Sequence, residues 1–355
     1  MKTRALKNYG ASVGLEVYDI DLESDAEILE LGRIVGEQNV VYVKQRIDTR
    51  RLFNIMTQWG RPSASLIHRY VLEKRLEGRH WREIFFNLGL ISKQLGDEME
   101  MAAIVVSPRS DDKNRPIGIF NQGELDWHAD QCALDDSPRV IGLQSVEYSA
   151  DSQTQFLCTH DAYESLSSDM KSMVQELVCV HKWQDNKMAP GLNEMQSLVI
   201  HYNMVPLDGM ETKLFSESCA GLPGIKFPSH SFDHFRGMSK EESQRVIREL
   251  QTAIYQDQYV YTQDWEDGEI VFMDQEITLH KRPTDVSNGS KRTMSRVITY
   301  MDKLYPTKTP TNTVRYNGHQ LSHEEFAKLV DEDRRHFFEE QQNGEYADPV
   351  RPFAY

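Results

Sequence analysis

Short runs of β-branched, aromatic and other apolar residues, each closed off by turn residues, fill much of the chain beyond residue 100 and restrict it to an architecture built on sheets. They lie at Ala103 to Val106, Val140 to Val146, Gln155 to Leu157, Val178 to His181, Tyr259 to Thr262, Glu269 to Asp274 and Arg292 to Met301. This spacing predicts a mainly β sandwich or barrel. In the last run the two-residue period of a strand puts Arg292, Met294, Arg296, Ile298 and Tyr300 on one face. Two guanidinium groups on an apolar inward face need anionic partners, because an unpaired buried charge is costly.

Helices flank these runs. Ser24-Asp25-Ala26-Glu27 reads as a capping box for a helix over about 25–37, with Ile28, Leu31 and Ile34 on its apolar face. A buried strand follows at Asn39 to Val43. Asp48 then caps a second helix, carrying Leu52, Ile55, Met56 and Trp59 and closed by Gly60. Further helices are expected over 168–177, from the Ser239-x-x-Glu242 box to about Tyr255, and from the Ser322-x-x-Glu325 box onward. Residues 68–100, charged but with Trp81, Phe85, Leu88 and Leu95 at helical spacing, predict a helical insertion packing on the core or on another subunit. The stretch from Lys187 to Met238 is poorly periodic and is expected to be a substrate-facing loop. All-β domains often run long as one unit, so residues 1–355 are expected to form a single domain, with 306–355 as an extension carrying one helix.

A net charge of −15 argues against nucleic acid or anionic membranes as partners and favours a small molecule. Four widely spaced cysteines form neither a Cys-x-x-Cys pair nor a disulfide-like framework, which fits a reducing compartment. With no signal-like stretch at the N-terminus and no run of membrane-spanning length, a soluble cytoplasmic protein is expected. A short organellar transit peptide and homo-oligomerisation are left open.

The chemistry concentrates in Trp127-His128-Ala129-Asp130 and Thr278-Leu279-His280. Two neutral imidazoles and one carboxylate can occupy one face of an octahedral ion and leave the opposite face open, the arrangement of non-haem Fe(II) oxygenases. Twelve histidines in an acid-rich chain make one chance His-x-Asp triplet expected, and His280 alone fits a strand-end core histidine equally well. The arginines shift this balance, since a planar guanidinium matches a carboxylate bidentately and can anchor the far end of a metal-chelating 2-oxo diacid. Arg296 suits either an internal ion pair or a substrate contact.

These residues resemble the TauD/TfdA family of Fe(II)- and 2-oxoglutarate-dependent dioxygenases, over most of the chain. Tyr9-Gly10-Ala11 leading to Asp19-Ile20-Asp21-Leu22, Trp59-Gly60-Arg61-Pro62, the His128 motif, Asp151-Ser152-Gln153-Thr154, Asp267-Gly268-Glu269, Leu279-His280-Lys281-Arg282 and the pair Arg292 and Arg296 are similar to successive family signatures. The resemblance implies a double-stranded β-helix, a cupin-like jelly roll with flanking helices. It implies that His128, Asp130 and His280 ligate Fe(II), that Thr154 and Arg292 hold the distal carboxylate of 2-oxoglutarate, and that Arg296 meets an anionic substrate. O2 and 2-oxoglutarate would be consumed, with release of succinate and CO2, as an unactivated C–H bond of a small, anionic or amino-acid-like substrate is oxidised, by hydroxylation in the first instance.

Three departures stand out. Asp151 and Ser152 replace the family's glycine pair before Thr154. Glu124 stands where taurine-oxidising members carry an asparagine beside the substrate, which argues for a different substrate and marks Glu124 as a substrate-side residue. The 68–100 and 306–355 segments exceed the compact family core. Two other readings stay open: the same cofactor chemistry diverted to kainoid-type cyclisation or desaturation, and a non-catalytic cupin-like metal- or ligand-binding protein.

Overall fold

The computed structural model describes residues 1–63, 103–109, 125–130, 132, 139–150, 152–182, 209–228, 231–283, 291–308, 313–322, 325 and 328. In chain order these form β1 (Lys2–Ala5), β2 (Gly14–Tyr18), α1 (Asp25–Glu37), β3 (Val40–Lys44), α2 (Thr49–Trp59), β4 (Ala103–Val106), β5 (Leu125–His128), β6 (Arg139–Glu147) and β7 (Gln153–Cys158). Next come α3 (Thr159–Glu164), α4 (Ser168–Glu176), β8 (Val178–His181), β9 (Met210–Lys213), β10 (Phe215–Glu217), β11 (Pro223–Ile225), β12 (Phe232–Phe235) and α5 (Lys240–Ile254). The chain continues with β13 (Val260–Asp264), β14 (Glu269–Asp274), β15 (Thr278–Arg282), β16 (Thr293–Tyr300), β17 (Thr313–Tyr316) and β18 (His319–Ser322).

Two sheets make the jelly-roll core. One has seven strands in the order β1-β2-β3-β14-β6-β16-β4, and the other has four, β13-β7-β15-β5. Alternation along each strand decides what faces what. Val271 and Met273 of β14, Ile141 and Leu143 of β6, and Met294 and Ile298 of β16 meet Phe156 of β7 and Tyr261 of β13 between the sheets. The intervening Ile270, Phe272, Val140 and Val297 turn outward under α1 and α2, against Leu52, Met56 and Trp59. Because helices cover that face, β6, β14 and β16 are buried at almost every position and read as near-continuous apolar runs. On the outer face of the smaller sheet, Leu157 and Leu279 pack against Ala162, Val174, Leu250 and Ile254. A Cβ on Gly142 would stand 2.6 Å from Met56 Sδ, so the glycine lets α2 sit close on the seven-stranded sheet.

The expected helix starts are borne out in their chemistry. Ser24 and Asp48 accept hydrogen bonds from the backbone N–H groups of Glu27 and Arg51. The Ser239/Glu242 box is complete. In the first helix, however, the Glu27 carboxylate accepts from Asp21 N–H and so ties the helix to the preceding turn. All four cysteines are buried, and none forms a disulfide among the described residues.

Two expectations need correction. Between Lys187 and Met238 the described residues hold four short strands, β9 to β12, instead of an irregular loop. The extension after residue 306 contributes a hairpin, β17 and β18, as well as helical positions at Glu325 and Lys328. Strand β17 pairs with β9, so the extension completes a third sheet of order β12-β8-β9-β17-β18. The 68–100 segment lies outside the described residues. No helix among the described residues is long and apolar enough to cross a membrane.

Candidate active site

His128 and His280 are direct partners in the ladder between β5 and β15, with ring centroids 4.1 Å apart. Asp130 follows two residues after His128, just beyond the end of β5. One ligand atom from each of the three residues lies within 4.8 Å of the others, the one such group of three found among the described residues. His128 Nε2 and Asp130 Oδ1 are 3.9 Å apart. Adjacent donors on an octahedral ion with bonds of about 2.1 Å sit roughly 3 Å apart, so closing the set requires side-chain adjustments of up to about 2 Å.

Protonation suits a cation. His128 Nδ1 is 2.6 Å from the carbonyl of Asp126, and since a carbonyl only accepts, Nδ1 carries the proton and Nε2 presents its lone pair. Burial first, and then the neighbouring His128 and Arg296 charges, push the His280 pKa down to about 3, so its imidazole is neutral near pH 7. Its Nδ1 is buried without a hydrogen-bond partner among the described residues. Burial alone would raise the Asp130 pKa, but Arg296, followed by the two histidines, holds it well below the usual carboxylate range. Two imidazoles and an ionised carboxylate form a donor set that fits a divalent transition metal.

The expected arginines arrive from the facing sheet. Met294 and Ile298 of β16 lie in the core between the sheets, and Arg296 between them is 5% exposed. Arg296 Nη1 donates to Asp130 Oδ2 at 2.5 Å. Arg292, the residue before β16, is also buried. Burial and, second, the charge of Arg282 press its pKa down to about 9, so it remains a cation at neutral pH in surroundings that favour an added anion.

Thr154 is buried near the start of β7. The Ser152 hydroxyl donates to the Ser149 carbonyl at 2.7 Å, and Ser152 N–H bonds the same oxygen at 3.1 Å. That closed turn stands where the family's glycines would be, and it delivers Thr154 to the inner face.

Two residues here are given no role by the motifs above. Trp265 is buried in the turn before Gly268, whose φ of +88° suits glycine, and its Nε1–H donates to Thr154 Oγ1 at 2.9 Å. No local sequence signal reports a contact across 111 positions. Arg282 lies two residues beyond His280, on the same strand face, and is 5% exposed. Arg282 pairs with Leu125 of β5 and lies one residue past the Lys281–Gln155 pair that ends the ladder with β7. The two-residue period reveals it once the strand is extended past His280. Glu124 lies outside the described residues.

Comparison with known proteins identifies the family and the fold. The family model described as "Taurine catabolism dioxygenase TauD, TfdA family" matches residues 2–298. An (S)-phenoxypropionate/alpha-ketoglutarate-dioxygenase from Sphingobium herbicidovorans is 28% identical over 215 residues, covering 56% of this chain and 73% of that protein. A pentalenolactone F synthase from Streptomyces avermitilis is 25% identical over 211 residues, covering 56% and 68%. Among solved structures, a taurine dioxygenase from Burkholderia xenovorans superposes with a TM-score of 0.58 at 18% identity, over 90% of this chain and 92% of that one, a likeness of fold.

Proposed function

The chain belongs to the TauD/TfdA family of dioxygenases, and from that premise we propose that it is a single oxygenase unit that hydroxylates an unactivated C–H bond of a small anionic substrate. As a member it is an oxidoreductase using Fe(II), 2-oxoglutarate and O2. The observation that carries the proposal is the convergence of His128, Asp130 and His280 on one point of the barrel interior. When bound, iron supplies oxygen activation coupled to decarboxylation of 2-oxoglutarate to succinate and CO2.

The chain's own groups supply position and electrostatics. His128, Asp130 and His280 would hold the ion, and its remaining positions would take co-substrate and oxygen. The Arg292 guanidinium and the Thr154 hydroxyl both donate to the distal carboxylate of 2-oxoglutarate, a charge-assisted arrangement in a site from which water is largely excluded. Trp265 Nε1–H occupies one lone pair of Thr154 Oγ1, and the threonine O–H is thereby turned toward the carboxylate. An anionic substrate is supported by the buried Arg296 and by the relative named for phenoxypropionate, a carboxylate.

Anaerobic addition of Fe(II) and 2-oxoglutarate is expected to give a visible charge-transfer band that His280→Ala abolishes. No band, or one indifferent to His280→Ala, refutes the oxygenase centre and favours a non-catalytic binding protein. Succinate release is then screened over small carboxylates, sulfonates and amino acids, with mass spectrometry of the product. Gain of one oxygen atom marks hydroxylation, and loss of two hydrogens marks desaturation or ring closure. Turnover stimulated only by uncharged compounds refutes the anionic substrate.

A further inference from the structure

The three candidate ligands are not held in the same way. His128 and His280 face each other across a β ladder, and His128 is fixed again through Nδ1 to the Asp126 carbonyl. Asp130 lies beyond the last residue of β5 and beyond the last ladder pair on that side. Among the described residues, the one hydrogen-bond donor to its carboxylate is Arg296. That donor reaches across the sandwich from β16, in the opposite sheet.

The two oxygens of Asp130 are divided between different neighbours. Oδ1 lies toward His128 Nε2, and Oδ2 is on Arg296 Nη1. A carboxylate that binds a metal through one oxygen still has a second oxygen to satisfy, and whatever holds the second sets the plane in which the first approaches the ion. A guanidinium suits this task because its donors form a rigid planar fork, whereas a lysine ammonium fixes distance but not plane.

We infer that Arg296 is a positioning residue for the metal centre: by holding Oδ2 of Asp130 it orients Oδ1 as the carboxylate ligand. This deepens the oxygenase reading and rests on it. It also assigns one arm of Arg296 to the centre itself. Among the described residues the Arg296 Nε–H is buried and has no acceptor, a donor direction in addition to the Asp130 contact. A substrate carboxylate placed there would share its guanidinium with an iron ligand.

The test is Co(II) titration of metal-free protein, followed by visible absorption without 2-oxoglutarate, substrate or turnover, for wild type, Arg296→Gln and Arg296→Lys. Loss of an outer-shell partner weakens metal binding by about 10–100-fold, so Arg296→Gln is expected in that range, with partial recovery in Arg296→Lys. 2-Oxoglutarate affinity, measured at saturating Co(II), is expected to stay within about twofold of wild type, because Thr154 and Arg292 are untouched. Co(II) affinity in Arg296→Gln within about twofold of wild type overturns the inference and leaves Arg296 a substrate contact only. If Arg296→Gln does not fold, Arg296→Lys decides: weaker Co(II) binding supports the inference, and wild-type affinity overturns it. Wild-type protein that binds no Co(II) refutes the parent reading, whereas wild-type binding with unaltered variants refutes this inference alone.

Discussion

Trp265→Phe isolates a single hydrogen bond. The indole N–H donates to Thr154 Oγ1 at 2.9 Å, both side chains are buried, and phenylalanine keeps an aromatic ring in the same turn. Without the indole, Thr154 Oγ1 loses its donor, and its O–H no longer has one preferred direction. A neutral hydrogen bond contributes about 1 kcal/mol net, so the 2-oxoglutarate dissociation constant should rise roughly fivefold. Thr154→Val removes the hydroxyl itself and, with it, a bond to a charged carboxylate worth about 1.5–3 kcal/mol, or roughly 10–150-fold. The assay is anaerobic titration of 2-oxoglutarate into Fe(II)-loaded protein, read at the charge-transfer band. A double-mutant cycle gives the decisive result: if Trp265 acts through Thr154, adding Trp265→Phe to Thr154→Val should cost nothing more. Equal effects in both backgrounds would refute the orienting role and leave Trp265 as packing. Folded-state stability is measured in parallel, since shrinking a buried ring should cost about 1–3 kcal/mol whatever its role.

Arg282→Ala should weaken 2-oxoglutarate binding and raise its KM with little change in metal affinity, because Arg282 is buried two residues beyond His280 and its charge reaches Arg292. Arg282→Lys should recover part of the loss, and equal KM values in all three proteins would exclude the residue from the carboxylate pocket. Asp274 should make stability fall as pH rises. Burial, reinforced by the Glu276 charge, lifts its pKa to about 7, above the unfolded value, so its contribution is fully present below about pH 4 and is lost progressively up to about pH 7. At most this amounts to roughly 4 kcal/mol, and Asp274→Asn should show a smaller drop in Tm between pH 5 and 8 than wild type. Parallel Tm curves for the two proteins would contradict it.

Legibility in the sequence tracks how many periods each element spans. Strand β16 runs eight residues, enough for alternation alone to separate Met294, Arg296 and Ile298 from Val297. Helices α1, α2 and α5 are marked by side-chain caps that the fold reproduces. Strands β9 to β12 have three or four residues each, fewer than two full alternations for some of them, and so they read as irregular chain. Their identity comes from pairing with distant partners, as when β9 joins β8 and β17. The candidate metal ligands are legible as residue types and by resemblance, but the register that opposes His280 to His128 is not. Arg282 escapes for a simple reason. The apolar character of its run fades after His280, whereas the strand continues two residues further along the same inner face.

The division of labour between the two sheets links stability to chemistry. The four-stranded sheet carries His128, His280 and Thr154, and β16 of the seven-stranded sheet carries Arg296. The Asp130–Arg296 contact therefore spans the sandwich, and its length depends on what separates the sheets. That spacer is the inner core: Phe156 pairs with His280 in the ladder between β7 and β15, and Met294 and Ile298 flank Arg296 on its own strand face. Packed at the density of a crystal, such a core cannot change volume by a methylene without shifting its walls. Substitutions at these apolar positions should thus alter metal binding without touching a ligand, because the residues that exclude water from the barrel also set the distance across which a carboxylate from one sheet meets a guanidinium from the other.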